Sequence, residues 1–222
     1  MAKDLEIAPN CFVGSTYPAF IIAELGQNHQ GTYLRLIGTH SPTLSLIPGD
    51  IEIAKQMIIA AKESGADCVK FQKSNLTEKF TRGALNRPYL SSNSFGSTYG
   101  EHKAYLEFSN EEFATLKDFC QNEVKIAMTA SAMDDLSVDF LANLGVPFIK
   151  IGSGDSNNMI ILEKVAKIKD MIAVISTGMS DISQVQKIYD IFKESREEKE
   201  QTQFEKNDRF LRSATFILLC IT

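Results

Sequence analysis

Five short stretches of the sequence each deliver polar side chains at or directly behind an apolar run. Glu24, Gln27, Asn28 and His29 follow Phe20, Ile21, Ile22 and Ala23. Lys70, Gln72 and Lys73 lie in the run CVKFQK, and Thr129 and Ser131 close the run IAMTAS. Lys150, Ser153 and Asp155 belong to FIKIGSGD, and Ser176 leads into Ser-Thr-Gly. Lys70 and Lys150, several hydroxyls and the backbone donors of Gly-Ser-Gly and Ser-Thr-Gly suit a ligand carrying phosphate and carboxylate. The cations neutralise its charge, and converging N–H and O–H groups fix its oxygens. Either lysine alone could snorkel from a strand to water, but a lysine inside an apolar strand occurring twice weighs against that reading.

The apolar runs that carry these groups alternate with helical patterns. Strands are expected at 20–23, 68–73, 124–130, 147–152, 171–176 and 215–220. Helices are expected at 51–65, from Ser109 onward, at 137–144, at 160–168 and behind Asp181. Asp50 and Ser109 read as helix caps, Ser109 opening the box Ser109-Asn110-Glu111-Glu112, and Gly65 and Gly145 read as helix stops. Residues 32–49 and 74–107 hold no sustained period and read as loops, the second of them long enough to be functional or disordered. Residues 194–208 form a charged run, the solvated end of a helix and a linker. Six nearly all-apolar strands alternating with five helices indicate an α/β protein with a parallel sheet covered by helices. Such sheets are either open and doubly wound or closed as a barrel, and both place their sites at the carboxyl ends of the strands.

Composition bounds the function. With 222 residues, 44% of them apolar, the chain can bury a sizeable core, and a net charge of -5 argues against a dedicated nucleic-acid binder. The four cysteines, Cys11, Cys68, Cys120 and Cys220, lack metal-ligand spacing and read as reduced thiols. The opening residues MAKDLEIAPN lack a signal-like apolar stretch, and no run reaches the length that spans a bilayer. A cytoplasmic protein without a membrane partner is expected. His29, His40 and His102 have no paired spacing, and neither a GxGxxG fingerprint nor a Walker motif is present.

The motifs FIIAELGQNHQG, ADCVKFQKS, TYGEHKAYLEFS, MTASAMDD, VPFIKIGSGDSNN and ISTGMS, in this order, resemble the sialic acid synthases of the animal type. The resemblance is densest between residues 20 and 180. It implies an incomplete TIM (β/α)8 barrel, residues 1–222 forming a single incomplete barrel domain. The implied activity is a transferase reaction of sialic acid biosynthesis, a condensation of phosphoenolpyruvate with N-acetylmannosamine 6-phosphate or N-acetylmannosamine. The products are N-acetylneuraminate 9-phosphate, or N-acetylneuraminate, and phosphate. By motif, Glu24 would be the acid/base, and Lys70, Thr129, Lys150, Ser153 and Ser176 would hold phosphoenolpyruvate. Gln72 and Asp155 would face the sugar. The family uses Mn2+ or Mg2+ as a Lewis acid, with ligands expected beyond residue 222, and works as a homodimer.

The chain departs from that pattern in three places. Residues 32–49 read as an insertion, the sequence stops after the sixth strand, and residues 194–212 are unusually charged. The last two strands and the small carboxy-terminal antifreeze-like domain are expected to be absent. Six strands cannot close an eight-stranded barrel, so weak stability and little synthase activity are expected of this chain alone. A non-catalytic fragment that binds or regulates a full-length synthase is the alternative expectation. A bacterial-type nonulosonate synthase, which would differ in the sugar, is a third.

Overall fold

The computed structural model describes residues 4–29, 51–203 and 216–219, with side chains described as far as residue 195. The expected cap Asp50, the insertion 32–49 with His40, the charged residues 204–212, and Thr215 and Cys220 lie outside the described residues. The chain divides into two compact units, residues 20–128 and residues 1–19 with 129–222.

The second of these begins with an antiparallel hairpin, β1 (Leu5–Ala8) and β2 (Cys11–Val13), turned at Asn10, whose φ is +61°. The Asn10 N–H donates to Glu6 Oε1 at 2.8 Å. The hairpin was not anticipated from the sequence, because each arm is too short to show alternation.

In the unit of residues 20–128, β3 (Ile22–Gly26) pairs in parallel with β4 (Cys68–Lys73), and α1 (Ile51–Glu63) lies between them in sequence. The strand expected at 20–23 is displaced toward its carboxyl end. Ile21 keeps its backbone tied, its N–H donating to Asp67 Oδ2 at 2.7 Å, while its side chain is 54% exposed. The ladder instead continues through Glu24, opposite Lys70. Ala54, Ile58 and Ala61 form the buried face of α1, as the helical period requires, and Gly65 ends the segment with φ +87°.

The stretch 74–107 is ordered, contrary to its reading as a loop. It folds as α2 (Leu76–Lys79), α3 (Arg82–Asn86) and α4 (Tyr99–Leu106). These helices are too short to register as a period. Aromatic contacts organise them instead: Phe80 and Tyr89 meet Tyr99 edge-on at 5.4 and 5.5 Å, and Phe95 stacks on Tyr105 at 4.2 Å. The Arg87 guanidinium sits 4.2 Å from the Tyr99 ring centroid.

Helix α5 (Asn110–Asp118) starts at the expected capping box. The Glu112 N–H donates to Ser109 Oγ at 3.1 Å, and the Ser109 N–H to Glu112 Oε2 at 2.8 Å. The helix widens into a π-helical segment, Phe119–Val124, and stops at Lys125 with φ +57°. That extension takes up Val124, so β5 (Ala127–Ala132) starts later than the expected 124. Cys120, in this segment, is fully buried, and burial pushes its thiol up to about 12. Among the described cysteines, Cys11, Cys68 and Cys120 are free thiols.

The chain passes into the other unit within β5. There β5, β6 (Phe148–Ile151), β7 (Ile172–Ser176) and β8 (Phe216–Leu219) are neighbours in chain order, and the pairs β5–β6, β6–β7 and β7–β8 are parallel. The connecting helices are α6 (Asp135–Leu144), α7 (Met159–Lys167) and α8 (Ile182–Gln203). Asp134 caps α6 by accepting from the Ser137 N–H at 2.8 Å, and Asp181 caps α8 by accepting from the Gln184 N–H at 2.8 Å. Every residue of β6 is buried, as expected of a strand covered on both faces. Leu141, Ile161, Leu162, Val165, Ile188 and Phe192 supply the apolar faces of these helices.

Candidate functional site

Register decides which polar side chains share a face. Residues directly opposite in a parallel pair project to the same side of the sheet, and successive residues alternate. In the unit of residues 20–128, Glu24 lies opposite Lys70, and Lys70 and Gln72 occupy alternate positions of β4. Glu24 Oε2 and Lys70 Nζ form an ion pair. The pair is unequal: the Lys70 side chain is 9% exposed and the Glu24 side chain 55%. The ladder shifts register directly behind Glu24, so that Gly26 pairs with Phe71 and Leu25 is the extra residue. Such a bulge re-aims side chains at a strand end. Gly26 adopts φ +56°, and a Cβ there would stand 3.6 Å from Glu24 Oε1 and 3.8 Å from Gln72 Nε2. Glu24 and Gln72 thus flank one glycine, with Lys70 bonded to the acid.

Two polar residues singled out in these strands belong elsewhere. Lys73 is on the opposite face of β4 from Lys70. Its ammonium donates to the Phe108 carbonyl at 2.6 Å, pairs with Glu107 at 3.4 Å and stands 5.4 Å from the Phe113 ring centroid. Glu107 also accepts from the Ser74 N–H at 2.9 Å and the Ser74 hydroxyl at 2.8 Å. Burial raises the Glu107 carboxyl above the ordinary carboxylate range despite these partners. His29, read as part of a polar cluster behind the first strand, is instead a core side chain, 2% exposed and stacked on Phe108 at 3.9 Å. Its Nδ1 has no hydrogen-bond partner among the described residues, and burial lowers the imidazole to about 4.

In the other unit, Lys150 is buried, and its ammonium donates to Ser176 Oγ at 2.5 Å and to the Ile151 carbonyl at 2.9 Å. Because Ser176 accepts from the lysine, its own O–H remains to be directed at an anion. Thr129 is fully buried, and its hydroxyl donates to the Phe148 carbonyl. Ser131 lies directly opposite Lys150 and so shares its face. The motifs assign Ser131 no role, although it closes the same run as Thr129 and strand alternation puts the two on one face. Ser153 opens the turn Ser153–Asp155 directly behind β6, and both Ser153 and Asp155 are half-buried. The loop behind this turn is tied to the loop behind β7. Ser156 Oγ and Ser180 Oγ lie 2.8 Å apart, and Gln184 Nε2 donates to the Ser156 carbonyl at 3.1 Å. Each unit therefore presents a buried strand lysine beside polar partners toward the carboxyl end of its strands.

Among the described residues, no group of three His, Cys, Asp or Glu side chains is placed to hold a metal ion. The divalent cation that the resemblance implies does not fit the described residues.

These motifs can be set beside known proteins. Residues 57–204 match the NeuB family. The chain belongs to the NeuB family. This NeuB chain is 49% identical over 193 residues to the N-acetylneuraminate-9-phosphate synthase of Mus musculus, an alignment covering 87% of the chain and 48% of that relative. It is 48% identical over 179 residues to the synthase of the same name from Drosophila melanogaster, covering 81% of the chain and 43% of the relative. Its fold matches a crystal structure of the N-acetylneuraminic acid (sialic acid) synthetase of Leptospira borgpetersenii with a TM-score of 0.67 and 26% identity. That match covers 99% of this chain and 59% of the other. The chain spans about half the length of the curated relatives it matches. The architecture is α/β, of TIM-barrel type. No described helix is long and apolar enough to cross a membrane.

Proposed function

We propose that this NeuB chain carries the phosphoenolpyruvate-handling groups of an N-acetylneuraminate 9-phosphate synthase of sialic acid biosynthesis. The observation that carries the reading is the buried Lys150 donating to Ser176 in a chain 49% identical to the mouse synthase. By motif, Lys70 in one unit and Lys150 with Thr129, Ser153 and Ser176 in the other are each suited to the phosphate or carboxylate oxygens of phosphoenolpyruvate. Gln72 and Asp155 serve the sugar, N-acetylmannosamine 6-phosphate. Glu24 is exposed and beside the bulge, where a carboxylate can reach a reacting group and exchange protons with water.

The reaction balances as follows. Carbon three of phosphoenolpyruvate forms a bond to the sugar aldehyde carbon, and the aldehyde oxygen takes a proton. Water adds at carbon two, losing a proton, and the C–O bond to phosphate breaks, leaving the ketone of the product and inorganic phosphate. Glu24 is the group on this chain suited to the proton transfers. The free thiols Cys11, Cys68 and Cys120 suit the reducing cytoplasm in which such a pathway would run.

Titration calorimetry tests the reading. Phosphoenolpyruvate should bind this chain saturably, Lys150→Met should weaken it by about tenfold or more, and N-acetylmannosamine 6-phosphate should bind more tightly once phosphoenolpyruvate is present. Absence of saturable binding, or binding that Lys150→Met leaves intact, refutes it.

A further inference from the structure

We infer that Glu24 is the resident counter-ion of Lys70, and that an anionic ligand must displace it to bind. The inference rests on the reading of Lys70 as a phosphoenolpyruvate-binding residue and adds how that site is kept closed and opened. Lys70 is a buried ammonium fixed on a strand, with 9% of its side chain exposed, and burial without an opposite charge is costly. Glu24 supplies that charge from the registered position on β3. The acid is the partner free to move, because 55% of its side chain faces solvent and Gly26 behind it projects no side chain. A phosphate or carboxylate approaching Lys70 meets the Glu24 carboxylate first, and two anions on one ammonium repel each other. Binding therefore trades one counter-ion for another, and the carboxylate swings into solvent toward the bulge.

The exchange has a consequence for the order of events. In the ion pair, Glu24 is held on Lys70. Once an anion takes Lys70, the same carboxylate is released beside Gln72, the residue assigned to the sugar. The ligand that neutralises Lys70 thereby frees the acid/base that the second substrate needs.

The test compares wild type, Glu24→Gln and Lys70→Met, with phosphoenolpyruvate and inorganic phosphate as titrants. Glu24→Gln, which keeps the shape and removes the competing charge, should bind both anions on the order of fivefold tighter. The gain should shrink as ionic strength rises. A thermal melt gives an independent readout: phosphate should raise the melting temperature of Glu24→Gln more than that of wild type, because the variant removes the carboxylate that competes for Lys70. Should Glu24→Gln not fold, Glu24→Asp, with a carboxylate drawn back from Lys70, should show the same direction at smaller size. Equal or weaker binding by the Glu24 variants, with Lys70→Met still abolishing it, overturns the exchange and leaves the binding reading standing. Binding that survives in Lys70→Met overturns both.

Discussion

Substituting His29 by phenylalanine should flatten the dependence of folding stability on pH. In the native chain the imidazole is 2% exposed, stacked on Phe108 with Phe71 nearby, and lowered from 6.5 to about 4 by burial alone. The unfolded chain protonates this histidine near its ordinary value and the folded chain does not, so acidification favours unfolding. Stability is intact above the unfolded value, falls as pH drops through the window from 6.5 to about 4, and levels off below. With those two values, moving from about pH 7 to about pH 5 costs on the order of 2 kcal/mol, and the full effect approaches about 3 kcal/mol. Phenylalanine preserves the ring stack and removes both the titration and the unpartnered Nδ1. Urea unfolding of wild type and His29→Phe across this range isolates the effect. Glu107 acts with the opposite sign, because its raised carboxyl takes a proton in the fold before the unfolded chain does, and its contribution cancels between the two proteins. At neutral pH the variant should be as stable as wild type or more so. Two stability curves that stay parallel as pH falls would refute the burial argument.

Three further outcomes follow from the geometry. Ser109→Ala removes one half of the capping box of α5 and should cost about 1 kcal/mol in chemical denaturation. Gly26→Ala puts a side chain at φ +56° in ordinary van der Waals contact with Glu24 and Gln72, so its cost is backbone strain of about 1–2 kcal/mol rather than a clash. Its Cβ would stand against Glu24 and Gln72, which should alter phosphoenolpyruvate or sugar affinity in calorimetry. Lys73→Met strips Glu107 of its ammonium and should cost about 3 kcal/mol near neutral pH, less in acid as Glu107 protonates, while phosphoenolpyruvate affinity stays unchanged.

Much of the fold could be read from the sequence for a physical reason that also marks where reading failed. The strand 68–73 and the helix starts behind Ser109 and Asp181 were legible because one local signal, an apolar run or a capping residue, is enough to define them. The stretch 74–107 was not, because its helices are held by ring contacts of Phe80 and Tyr89 with Tyr99, and of Tyr89 and Phe95 with His102, residues with no common period. Hydrophobicity alone puts the first strand at 20–23, ahead of its actual span Ile22–Gly26. The ladder runs on through a charged residue whose cost is met across the strand by Lys70.

The three strand lysines show what register adds to composition. Lys70, Lys73 and Lys150 all lie in strand-forming runs and all are buried in the fold, Lys70 and Lys150 between apolar neighbours and Lys73 between Gln72 and Ser74. Lys70 and Lys73 differ by an odd number of residues on one strand, so they must face opposite sides. Lys73 meets the backbone of Phe108 and a buried acid, partners that use up its hydrogens on the fold itself. Lys70 meets an acid that is mostly exposed, a partner that can leave. Lys150 meets the Ile151 carbonyl and the oxygen of a serine, a side chain that can turn its O–H to another acceptor. What separates a structural lysine from a binding one is therefore the replaceability of its partner. Lys73→Met and Lys150→Met should part on that criterion, the first losing stability and keeping anion affinity, the second losing anion affinity.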